Sequence, residues 1–77
     1  MRTTQLQIRT RQGVRRLEYR TQNGSHQGIG PAIPQHLTDE CLRQILLELR
    51  AEFPAGTPDR KARITRRWAA SLGEVTA

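Results

Sequence analysis

Seventy-seven residues carrying a net charge of +6, with a pI near 11.3, make one small domain with a modest core and leave no room for a second. Thirteen basic residues, twelve of them arginine, stand against seven acids, a balance that points to a polyanionic partner. The lone cysteine, Cys41, excludes an intrachain disulfide. No apolar run reaches the length of a membrane span, and "MRTTQLQI" carries no apolar leader core, so a cytoplasmic protein without membrane contact is expected.

Charge is segregated along the chain: net +5 over residues 1–36, −2 over 37–56 and +3 over 57–77. The first block opens with "QLQIRTRQGVRRLEYR", residues 5–20, whose alternation predicts a hairpin turning at Gln12-Gly13. Ile8 then lies opposite Leu17 and Leu6 opposite Tyr19, all on one face. The other face carries Gln5, Gln7, Arg9 and Arg11 against Val14, Arg16, Glu18 and Arg20. Arg9 faces Arg16, an unfavourable pairing that Glu18 and solvent relieve. A one-residue slip would turn the apolar set outward, which opposes it. Asn23-Gly24 predicts a second turn and a third strand across 25–30. Two-residue pairing there puts Gly28 opposite Tyr19 and Ile29 on the arginine face, so the segment is either bulged or a loop. Residues 31–37, "PAIPQHL", form an extended linker, since proline disfavours helix in the residue before it.

Thr38 is a suitable N-cap, followed by Asp39 and Glu40 at the positive helix end, with Leu37 placed to staple onto Leu42. Leu42, Ile45, Leu46, Leu49 and Phe53 recur at helical spacing across 38–53. Leu47 falls outside that stripe and is the candidate subunit contact of a homodimer. Thr57-Pro58-Asp59 predicts a second helix, 58–73, closed by Gly73, with Ile64, Trp68, Leu72 and Val75 inward and the last four residues frayed. Arg60, Lys61, Arg63, Arg66 and Arg67 form its basic side. The expected fold is α+β: an N-terminal antiparallel hairpin (residues 1–30, three-stranded if 25–30 pair) packed on two C-terminal helices, in one domain over 1–77.

No catalytic constellation stands out. His26 and His36 lie in loops and no spacing couples either to Cys41, which reads as a small core residue. Two histidines and one cysteine fall short of a structural zinc site, and Gly28-Ile29-Gly30 lacks the third glycine and helix of a dinucleotide fingerprint. No enzyme activity, metal or cofactor is expected. The arginines carry the signal, because a guanidinium matches phosphate oxygens bidentately and a two-stranded ribbon fits a major groove. Arg9, Arg11, Arg16 and Arg20 are the expected ribbon contacts; Arg60, Lys61, Arg63, Arg66 and Arg67 are the expected phosphate grips of the last helix.

A strand ahead of two helices resembles ribbon-helix-helix repressors, and a basic sheet ahead of a helix resembles the arm-binding domains of phage integrases. The hairpin and long loop depart from the first pattern, no specific motif carries the second, and no family is assigned. The expected function is a small non-enzymatic nucleic-acid-binding protein, for DNA ahead of RNA, regulatory and from a phage or plasmid. The alternative is a mobile-element inhibitor, of the anti-CRISPR kind, docking its arginines on an acidic protein surface of a host nucleic-acid-processing complex.

Overall fold

Period-two alternation in the first block and 3.6-residue periodicity in the second build two layers around one core. The computed structural model describes residues 6–21 and 23–76. Strands β1 (Leu6–Arg11), β2 (Val14–Arg20) and β3 (His26–Ile29) form an antiparallel sheet in the order β1-β2-β3, followed by helices α1 (Asp39–Glu52) and α2 (Arg60–Thr76). The fold is α+β.

The first hairpin has the expected register, with Leu6 against Tyr19, Ile8 against Leu17 and Arg9 against Arg16. Gln12 and Gly13 both adopt positive φ, 53° and 78°, so the two-residue turn carries the twist of the flanking strands at some strain on Gln12. Gln5, assigned to the arginine face, lies outside the described residues.

The second reversal corrects the expected one. Thr21 N–H donates to Ser25 O at 2.8 Å and Gly24 N–H to Thr21 O at 3.0 Å, so Thr21 and Ser25 close a loop one residue longer than an Asn23-Gly24 turn. Gly24, at φ +91°, supplies the left-handed residue that such a loop requires. The extra residue shifts the register by one: Ile29 pairs with Leu17 and Gly28 with Glu18. Ile29 therefore leaves the arginine face and is buried, which settles 26–29 as a strand. Continuing this register would set Pro31 against Arg15. Proline has no N–H to give, and Ile33 N–H bonds Arg15 O instead at 2.9 Å.

Thr38 caps α1, its hydroxyl accepting from Cys41 N–H at 3.1 Å. α2 begins two residues later than Thr57-Pro58-Asp59 suggested. The Thr57 N–H and hydroxyl both turn back to Pro54 O, so Thr57 closes the turn that follows α1 rather than capping α2. Asp59, at φ +52°, precedes the helix and its carbonyl accepts from Arg63 N–H. Gly73 does not close α2, and Glu74 to Thr76 do not fray: the helix runs through them to Thr76. Ala77 lies outside the described residues.

One cluster joins Leu6, Leu17 and Ile29 of the sheet, Ile33 and Leu37 of the linker, the α1 stripe with Phe53, and Ile64, Trp68 and Leu72 of α2. Ile8, Tyr19 and Cys41 pack against it half-buried. Val75, expected in the core, is 41% exposed, because the buried stripe of α2 ends at Leu72.

Three arginines cross-link the layers. Arg15 donates to the carbonyls of Pro34 (2.9 Å), Gln35 (3.3 Å) and Leu37 (2.8 Å) and to Asp39 (3.0 Å), pinning the linker and the start of α1 to the hairpin. Arg50 donates to Leu6 O at 2.7 Å, joining α1 to the sheet edge. Arg60 donates to Phe53 O at 2.8 Å and lies 5.6 Å from the centre of the Tyr19 ring. A guanidinium–carbonyl bond of this kind adds about 1.5–3 kcal/mol, a large increment for a small core, and the three at Arg15 share one terminal nitrogen and count as little more than one.

Candidate nucleic-acid interface

Because the β1 and β2 side chains alternate, burial of Leu6 and Leu17 forces Gln7, Arg9, Arg11, Val14, Arg16, Glu18 and Arg20 onto the side of the sheet away from the helices. The β2–β3 register adds His26, opposite Arg20, and Gly28, opposite Glu18. Four arginines against one glutamate leave the face with a net charge of +3.

Like charges on neighbouring strands are resolved by spreading. Arg16 leans away from Arg9, lies across Gly28, where a Cβ would meet its Cδ at 2.8 Å, and donates to Gly30 O at 3.1 Å. Arg11 turns to Glu18, Nε to Oε2 at 2.8 Å. Arg9, exposed, and Arg20, half-buried, make no side-chain hydrogen bond among the described residues. The Glu18 side chain is 6% exposed, although it stands on the outer face, because the long side chains around it cover it and the core does not. The Arg11 hydrogen bond is the main cause holding the Glu18 carboxyl below its ordinary range. Desolvation opposes it, while Gln7 and the charges of Arg11 and Arg9 assist. In return the Glu18 bond, then its charge, raises Arg11 further above the ordinary arginine value.

The α2 arginines do not join this face. The apolar side of the sheet faces Ile64 and Trp68, so α2 and its charges lie across the core from Arg9 and Arg11. Arg63 and Arg66 are exposed and make no side-chain hydrogen bond among the described residues. Arg67 is half-buried, its Nε 3.3 Å from Glu52 and Nη1 3.2 Å from Ser71. Arg60 is committed to the core edge, and Lys61 donates to Gln27 of β3. Of the nine basic residues singled out in the sequence, the four of the ribbon share one face and the five of α2 do not reach it. His26, expected in a loop, opens β3 and stands on this face opposite Arg20. The signal that would have placed it was Ile29, whose burial fixes the register of β3. Leu47 is 52% exposed.

No helix is long and apolar enough to cross a membrane among the described residues. No protein-family model, curated protein or solved structure matches this chain.

Proposed function

We propose that this chain is a small non-enzymatic nucleic-acid-binding protein that docks the β1–β2 ribbon in the major groove of duplex DNA, with a regulatory role in a phage or plasmid. The observation that carries this reading is the outer sheet face: four arginines, one neutralising carboxylate and no covering element among the described residues. Arg9, Arg11, Arg16 and Arg20 all come from two adjacent strands about 4.8 Å apart, a ribbon that a groove roughly 12 Å wide admits. Double-stranded DNA is favoured over single strands because Tyr19, Phe53 and Trp68, the aromatic residues, belong to the core or its margin and offer this face no stacking platform. RNA duplexes hold their major groove too deep and narrow for a ribbon.

A salt titration of duplex binding tests it. Three to four phosphate contacts from the ribbon arginines require a log–log slope of affinity on salt of about −2.7 to −3.6. Binding that is weak at low salt, or a slope near zero, removes the reading.

One observation favours a protein partner instead. An open groove of about 640 Å³ beside α2, with Tyr19, Ala62 and Thr65 in its lining and Lys61 and Arg66 at its sides, would suit an acidic, partly apolar peptide. Capture of a host protein that survives nuclease treatment, by a chain that fails the salt titration, would favour the inhibitor.

A further inference from the structure

Arg11 and Val14 flank the Gln12-Gly13 turn as direct partners, both on the outer face, and between them and Glu18 lies a depression of about 250 Å³. Arg11 differs from the other ribbon arginines in being aimed by a carboxylate, whereas Arg16 is held by a backbone carbonyl at the sheet edge. Its side chain is 59% exposed, yet its Nε is fixed on a carboxylate that is itself 6% exposed. With Nε committed, the terminal pair of nitrogens is left outward, and neither donates elsewhere among the described residues. A phosphate contact needs no such aiming, and a carboxylate beside it repels phosphate. Reading a base does need it: guanine offers O6 and N7 side by side on its major-groove edge, which two parallel N–H groups match. Val14, 44% exposed on an otherwise polar face, is equally unsuited to phosphate. The apolar group that a major groove presents is the thymine methyl. Paired strand residues stand about 5.5 Å apart and successive bases about 3.4 Å, so the two side chains can serve neighbouring steps.

Resting on the nucleic-acid reading above, we propose that Arg11, oriented by Glu18, reads a guanine in the major groove while Val14 contacts the methyl of an adjacent thymine. Arg11 and Val14 are the specificity residues, and Glu18 is a positioning residue that never touches the DNA. Arg9, Arg16 and Arg20 hold phosphates without regard to sequence.

The test uses the unmodified protein and a random duplex pool, followed by base analogues in the selected duplex. Selection enriches a guanine beside a thymine. Replacing that guanine by 7-deazaguanine, which lacks the N7 acceptor, weakens binding about fivefold or more. Replacing the thymine by uracil, which lacks the methyl, weakens it about fourfold. Glu18→Gln flattens the guanine preference while strengthening binding to random duplex, because the face gains one net positive charge. Duplex binding with the expected salt slope but no enriched guanine, or analogue duplexes bound as tightly as their parents, overturns the inference and leaves the nucleic-acid reading standing. Retention of the guanine preference by Glu18→Gln overturns the role given to Glu18. Absence of duplex binding removes both.

Discussion

Gly30→Ala tests the tightest contact in the core. Gly30 follows β3 at φ +73°, and a Cβ there would stand 2.7 Å from Trp68 Cδ1 and 3.4 Å from Nε1. Trp68 is fully buried between the layers and its indole N–H has no hydrogen-bond partner among the described residues, so the ring is held by close packing and has nowhere to retreat. The backbone conformation costs alanine about 1–2 kcal/mol. Forcing a methyl into a filled core adds about 1–3 kcal/mol. A loss of roughly 2–5 kcal/mol is a large part of the total for a domain of this length, about 4–12 kcal/mol. Gly56→Ala is the control, since Gly56 is at φ +97° with nothing within 4 Å of the added Cβ, so only the backbone cost applies. Urea unfolding followed by fluorescence of Trp68, the sole tryptophan, separates the two. With a slope near 1 kcal/mol/M for a small domain, the Gly30 variant should unfold about 1–3 M earlier than the Gly56 variant. Midpoints that coincide would refute the close approach of β3 to α2 and the register that creates it.

Arg15→Met keeps the aliphatic stem but abandons the three carbonyls of the linker. It should cost about 2–3 kcal/mol, a fall of roughly 8–24 °C in Tm, whereas Asp39→Asn, at an 84% exposed carboxylate, should cost under about 0.5 kcal/mol. Equal effects of the two would mean the carbonyls contribute nothing. Glu18 has its carboxyl lowered in the folded state, so its contribution to stability is complete above the ordinary glutamate value and is lost as pH falls through the lower folded one. The stability gap between the parent protein and Glu18→Gln should therefore be largest near pH 7 and close in acid, as read by urea midpoints across that range; a gap that persists unchanged at the acid end contradicts the assignment. Gln12→Asn puts a residue that tolerates φ near +53° at the first turn and should raise stability by about 0.5 kcal/mol or more. A decrease in Tm would argue against the primed turn.

The first hairpin was legible because four apolar residues at period two admit one register, and α1 because its cap, staple and stripe agree. The third strand lies where Asn23-Gly24 points, but its register does not follow from that turn signal. Burying Ile29 contributes about 2 kcal/mol, more than the preference between loop lengths, and the loop lengthens to allow it. At the start of α2, Thr57 had two possible roles, and its proximity to the Pro54 carbonyl decided between them. Val75 continues the stripe of α2, but the partners that would bury it stop short. In the candidate site, the side of the sheet on which each ribbon arginine stands was readable from alternation. What each guanidinium meets was not. Alternation puts Arg15 on the opposite side of β2 from Arg16, but it is carbonyls 19 to 22 residues away that make a cross-link of it, as the end of another helix does for Arg60.

Salt dependence of duplex binding, compared between two paired variants, bears most directly on the central claim that the sheet and not the helix meets the polyanion. Arg9→Gln with Arg20→Gln should reduce the log–log slope by about 1.8, half or more of the parent value, while Arg63→Gln with Arg66→Gln should leave it within about 0.3. A slope lost with the helix pair and kept with the sheet pair would place the interface on the other side of the molecule.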